Sequence, residues 1–376
     1  MTSFTSRLRG WLALSVGLAL LFCGSLWFTG HARGVRDSTM ATMTAQMKTV
    51  CVGRHLIDVP VRAKVSLSGE MIAGFTIVTF EETEDSFRSR VATREADIIA
   101  LGEKADPERP GGLIEARGLQ LPGLRARTFI YGKGHTHGFE NGRRVDSEWV
   151  SIESHAHLGN LSLVLSKQYA TVAQAGLAES LLARVRLRGE HEAPSASGFC
   201  VRRAVFTEPL PAHENEHVVL HVGLLGHPDM GLSLISIANG STDEGLLARS
   251  AATDADASLG ERLRVTTLRA GKRTINGIDG EEVLERVREL NFTTGYGFAW
   301  EARGAAHDNL RPYLSLNMET GTNPRPGGEP VDSSLDREAV LALWDRISSS
   351  LRRQAGAQAV SGARARPTAM RARDAA

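Results

Sequence analysis

Landmarks in the first half of the chain return in the second, in the same order, roughly 150 residues later, and a repeat of that length constrains the fold more than any single motif. Cys51-Val-Gly-Arg54 runs on to Pro60, as Cys200-Val-Arg-Arg203 runs on to Pro209 and Pro211. An apolar, β-branched strand follows in each half, Gly74 to Phe80 and Gly231 to Ile237. Helix signals come next: Phe87, Val91 and Ile98 near helical spacing after Asp85 and Ser86, and Ser241-x-x-Glu244 as a capping box before Leu246 and Leu247. A turn glycine then leads into a further strand, at Leu121-Pro-Gly-Leu124 and at Ile275-Asn-Gly-Ile278. Tryptophan-bearing strands at Trp149 and Trp300 precede Leu161-Ser-Leu163 and Leu314-Ser-Leu316, whose alternation puts apolar side chains on one face. Each half closes on a helix: Thr171-x-x-Gln174 caps one ahead of Leu177, Leu181 and Leu182, and Ser333 and Ser334 precede Val340, Leu343, Trp344, Ile347 and Leu351.

The pattern predicts two structurally similar α+β domains by internal duplication, each an antiparallel sheet packed with helices in the order strand-strand-helix-strands-helix. The domain boundaries are then 48–188 for the first domain, 189–197 as a linker holding Pro194 and serines, and 198–354 for the second. Residues 30–47 form a polar spacer, and an Ala-, Gly- and Arg-rich tail from 355 to 376 is expected to be disordered. A chain of 376 residues is long enough for two cores, and 42% hydrophobic with 23% charged residues lets both fold. The net charge of +1 excludes the basic footprint of a nucleic-acid binder.

Arg7 and Arg9 precede an uninterrupted apolar run from Trp11 to Phe28, a polarity that keeps the N-terminus cytoplasmic and exports the rest of the chain. At about 1.5 Å per residue the run spans roughly 27 Å, so residues 1–29 read as an uncleaved inner-membrane anchor; cleavage after Ala32, behind Gly30, is the alternative. Phe22 before Cys23 argues against lipidation. Cys51 and Cys200 then sit in an oxidising compartment, where a bridge and two free buried thiols both stay open.

Catalytic signals are few. His213-Glu-Asn-Glu-His217 satisfies H-E-x-x-H, but prolines lie just upstream and Val218-Val-Leu-His-Val222 reads as strand, whereas a zinc peptidase needs both imidazoles on one helix face. His135-x-His137 and His155-x-His157 would each place two imidazoles on one face of an extended segment, although glycines around the first pair suggest a mobile loop. There is no nucleophile elbow, phosphate loop or dinucleotide-binding glycine motif, so no catalytic residue, cofactor or metal is expected. Gly295-Tyr-Gly-Phe-Ala-Trp-Glu301 reads as a core strand after a tight turn, with Tyr296 or Phe298 as partner anchors in the alternative.

The Cys51-Val-Gly-Arg54 opening with Asp58-Val-Pro60, the Gly198-Phe-Cys200 restart, and Gly297-Phe-Ala-Trp-Glu301 followed by Leu314 to Glu319 resemble the class-four cognate immunity proteins of type VI secreted lipase effectors, over about residues 47–353. The resemblance implies a non-enzymatic periplasmic inhibitor with two lobes that grip a phospholipase around its lid and prevent opening. Its partner is then a secreted lipase, with no nucleic acid. A duplicated envelope assembly module is the competing expectation. Contact residues are expected in the loops that differ most between the halves, which nominates His135, His137, Arg143, Arg144, Tyr296, Phe298, Asn323 and Arg325.

Overall fold

The computed structural model describes residues 43–103, 111–190, 192–211, 214–240, 244–306 and 308–354. The expected anchor, most of the spacer, the tail, His213 and Ser241 lie outside them. No helix among the described residues is long and apolar enough to cross a membrane.

The chain opens with a hairpin, β1 (Met47–Val52) and β2 (His55–Pro60), in place of the single strand read from the sequence. Gly53, at φ 55°, supplies the turn and sets Cys51 opposite Leu56. Then come β3 (Lys64–Ile72), β4 (Phe75–Glu81), α1 (Glu84–Glu103), β5 (Leu113–Leu121), β6 (Leu124–Glu140), β7 (Arg143–Leu158), β8 (Leu161–Ala170), α2 (Gln174–Leu182) and β9 (Val185–Leu187). The second half runs β10 (Gly198–Val201), β11 (Ala204–Thr207), β12 (His217–Leu224), β13 (His227–Ile237), α3 (Leu246–Asp256), α4 (Leu259–Arg264), β14 (Val265–Ile275), β15 (Ile278–Arg288), β16 (Thr294–Ala302), β17 (Tyr313–Thr320), α5 (Arg337–Ser348) and β18 (Arg352–Arg353).

The fold is dominated by antiparallel sheet, with few helices. Separate sheets for the two halves were expected; instead twelve strands form one sheet, ordered β14-β15-β16-β17-β13-β12-β3-β4-β8-β7-β6-β5. The joint is β3 against β12, with Leu67 opposite Leu220 and Val65 opposite Val222, so the apolar alternation of both strands falls on one face and each covers the other's edge. One apolar core consequently runs through both halves, from Phe75, Leu163 and Leu182 to Leu234, Trp300 and Trp344. Two small sheets lie alongside, in which the last strand of each half completes the opening hairpin of the other: β9 pairs with β11 and β18 with β2.

The helix caps and the tryptophan positions depart from the sequence pattern, although the order of elements follows it. Asp336, not Ser333 or Ser334, caps α5, accepting from the Ala339 amide at 3.0 Å. Gly245 precedes α3, and the full capping box is Ser258 with Glu261 at the start of α4. Trp149 and Trp300 are not matching positions: Trp300 is buried opposite Leu316, whereas Ala156 stands opposite Leu163, and Trp149 lies further back on β7 against the Tyr169 ring.

Between the two hairpins the Cys51 and Cys200 sulfurs are bonded at 2.11 Å, with Cα atoms 5.8 Å apart. The Gln354 side-chain amide donates to the Gly53 carbonyl at 2.7 Å, and the buried Arg54 guanidinium donates to both Glu216 carboxylate oxygens at 2.8 and 2.7 Å. His55, beside it, is buried with neither ring nitrogen partnered among the described residues. Burial, followed by the charges of Arg353 and Arg54, lowers its pKa to about 3.

The bond spans a sequence separation of 149, which corresponds on the chain-entropy model to about 4–5 kcal/mol. Replacing Cys51 or Cys200 by Ser is expected to cost about 3–5 kcal/mol in urea unfolding, and an unmoved midpoint would show that the disulfide is thermodynamically idle. For His55, the unfolded chain binds more protons than the folded one between about pH 6.5 and 3. Its contribution is therefore complete above pH 6.5 and is lost on acidification, at up to about 1.4 kcal/mol per pH unit. His55→Leu should flatten that slope in unfolding curves taken between pH 7 and 5.

Candidate functional site

Successive side chains of the large sheet face opposite ways. One face carries the core, beneath α2 and α5. On the other, α1 forms a ridge over β6 and β7, packing Phe87, Val91 and Ile98 on Phe129. The α3–α4 pair forms a second ridge over β15 and β16, tied by Arg249 to Glu301 and by the Leu247 amide to Glu281. Between the ridges the sheet is open, and its floor is short and polar. Ser66, His221, Ser233 and Asn317 lie in one row across β3, β12, β13 and β17, with Ser68 Oγ 2.9 Å from His221 Nε2. A hollow of about 620 Å³ at one end of this trough is lined by Lys64, His221, Asn317 and Asn323.

Guanidinium groups fill the space beneath α1. Arg94 donates to Glu153 at 2.9 Å and to the Tyr131 hydroxyl at 3.1 Å, Arg90 bonds Glu82 and His155, and Arg127 bonds Glu95. Burial raises the Glu153 carboxyl, but hydrogen bonds from His155, Arg94 and Tyr131 outweigh it and hold the group below the usual carboxylate range. The Tyr131 hydroxyl is pushed up to about 12 by burial and by its bond to Glu153. The His155 and His157 pair is engaged here too: His155 accepts from Arg90 and donates to Glu153, and His157 bonds Ser162 Oγ at 3.0 Å and stacks on Phe87.

Two arms extend from the sheet. Beyond the Leu113–Tyr131 and Val150–Ala170 pairs, β6 and β7 continue alone as a ribbon to an Asn141-Gly142 turn, both residues at positive φ. His135, His137, Arg143 and Arg144 are exposed on this ribbon, which is paired strand and not the loop expected, and Phe139 is 74% exposed beside them. The β15–β16 connection presents Leu290 and Phe292 at 79% and 75% exposure. Because β3 and β12 are antiparallel, the two tips stand at opposite ends of the sheet. Asn291 braces the second against the 321–330 loop by donating to the Pro330 carbonyl at 2.7 Å. In that loop Asn323 accepts from the Arg325 amide and lines the hollow.

Tyr296 and Phe298 are removed from the candidate contacts. Both lie on the core face of β16, 8% and 2% exposed, and Phe298 packs edge-on against Trp344. Phe139, Leu290 and Phe292 replace them; isolated apolar residues within polar turns were the available signal. His217 begins a strand, its Nδ1 2.6 Å from the Gly69 carbonyl, and Glu214 to Glu216 are not helical, so this stretch offers no helical face for zinc. Among the described residues no group of three or more His, Cys, Asp or Glu side chains is placed to hold a metal.

An open polar floor, two ridges and two apolar-tipped arms define a scaffold for binding another macromolecule. The two halves match the family models described as the Tle cognate immunity protein 4 N-terminal domain, over residues 48–186, and C-terminal domain, over residues 192–356. The chain belongs to the Tle cognate immunity protein 4 family, and is an immunity protein and not an enzyme. Solved structures share the fold. A crystal structure described as the Tle4–Tli4 complex aligns with TM-score 0.67 and 21% identity, covering 83% of this chain and 98% of that one. The T6SS immunity protein TplEi of Pseudomonas aeruginosa aligns in complex with "L" peptide (TM-score 0.64, 20% identity, 82% of this chain and 98% of that one) and in apo form (0.65, 21%, 82% and 97%). No curated protein matches the chain.

Removing the Arg94 guanidinium leaves the half-buried Glu153 carboxylate short of its cationic partner. Arg94→Ala is expected to cost about 1–3 kcal/mol, with faster amide exchange in α1 and little change in α3.

Proposed function

We propose that this chain binds and inhibits a type VI secreted lipase in the periplasm, protecting the cell that makes it, and that the trough between the ridges, with the arm tips, is the contact surface. The match of both halves to models of one immunity family carries this reading. The neighbouring fold described as a Tle4–Tli4 complex supports an effector as the partner. Inhibition follows from population shift: a scaffold that closes on the lipase's shut lid and not on its open form lowers the open fraction by the ratio of the two affinities. Residues 11–28 are the proposed inner-membrane anchor.

In the same proposal the halves are copies of one plan, each strand-strand-helix-strands-helix with an added opening hairpin, and their boundary falls within 189–197. The recurring order of elements and the mirrored order of strands about β3 and β12 support this.

The deciding experiment is co-purification with the lipase encoded beside this gene, paired with survival of cells that express that lipase in the periplasm. Binding and protection are expected, and absence of both sinks the proposal. Phe139→Ser combined with Phe292→Ser should weaken the complex by about tenfold or more without lowering the melting temperature, because both side chains are solvent-exposed in the free protein.

A further inference from the structure

The two ridges cover corresponding places on the sheet but fill them differently. Leu163 pairs with Ala156 as Leu316 pairs with Trp300, which sets Glu153 and His155 in register with Gly297 and Ala299. Across the next ladder Arg127, opposite His155, corresponds to Val283, opposite Ala299. Where the first half inserts Arg90, Arg94 and Arg127 between helix and sheet, the second has half-buried Gly297 and Ala299 and buried Val283, none of which carries a guanidinium, and the one arginine that spans from α3 to the sheet, Arg249, goes to Glu301 instead. Helix α3 buries none of its residues, and a cleft of about 780 Å³ separates the ridge from the floor.

The cleft is lined by carboxylates. Asp254 and Asp256 of the ridge and Glu285 and Glu319 of the floor line it, all but the half-buried Glu285 exposed, and none is in an ion pair with a described residue. The two arginines in the lining are occupied, Arg249 by Glu301 and Arg262 by the Ala255 carbonyl. A Cβ built on Gly297 meets open space.

We propose that this cleft receives an arginine- or lysine-bearing segment of the partner protein, whose cationic side chains enter between the α3–α4 ridge and the sheet as Arg90, Arg94 and Arg127 do in the first half. The inference rests on the reading of the chain as a lipase-binding immunity protein, and names the partner chemistry that one ridge selects. Burial and the facing Asp254 raise the Glu285 carboxyl above its ordinary value, so an arriving cation relieves a repulsion already present.

The test is calorimetric titration of the full chain with the lipase encoded by the adjacent gene. Glu285→Gln with Asp254→Asn, and separately Gly297→Leu to fill the cleft without altering charge, should each weaken binding by about tenfold, and the charge variant should also flatten the salt dependence. Melting temperatures should not fall, since these carboxylates hold no partner in the free protein. If the parent chain binds and both variants bind equally well, the inference is overturned while the functional proposal stands; if the parent chain fails to bind, both fall. The chain's own Arg364, Arg366, Arg371 and Arg373 are the rival occupants. If changing all four to Ala abolishes the effect of the cleft variants, the tail is the occupant and the proposal is wrong.

Discussion

The antiparallel pairing of β3 with β12 is the contact on which the rest of the molecule depends. Each strand would otherwise be the exposed inner edge of a half-sheet, with a row of unpaired amides and carbonyls. Joined, they make one sheet and one core, and they determine which face each half presents. Both helical ridges therefore rise from the same side, and the arms point to opposite ends. A slip of one residue in this register would set Leu67 and Leu220 on opposite faces, turning one half's apolar side outward against the other's, so the trough and the core are specified by the same ladder.

Polar groups at this seam are buried, so mispairing there would strand them without partners. Arg54 with Glu216 is a buried ion pair, an arrangement that matched apolar residues often equal in stability, but a misaligned half would leave either charge buried alone. The disulfide and the Gln354 amide lie in the same small volume, so covalent, ionic and hydrogen-bonded constraints all act where the two hairpins meet.

The succession of elements could be read from local alternation and helical spacing, because those patterns are properties of short segments. The joining of the halves could not. Pairing of Leu67 with Leu220 is a contact between distant residues, and a strand that alternates Ser and Leu looks the same whether its neighbour is in its own half or the other. Parity settles Tyr296 and Phe298 once Trp300 is known to be buried: the three share a face, while Gly297 and Ala299 between them line the open one. Aromatic content drew attention to the buried face of that strand, although its small residues form the accessible one. Phe139 and Phe292 were legible only as apolar residues in turn surroundings, a pattern too common to single them out before their exposure was known.

The exchange of terminal strands between the halves has a consequence for the order in which the molecule can be completed. The hairpin at Met47–Pro60 receives its third strand from Arg352–Arg353, at the opposite end of the described chain. Whatever order the rest of the chain takes, that hairpin keeps an open edge until Arg352 and Arg353 reach it. Closure of the first hairpin thus waits on a segment roughly 300 residues further along the chain, and a product stopped short of Arg352 carries an unsealed strand edge.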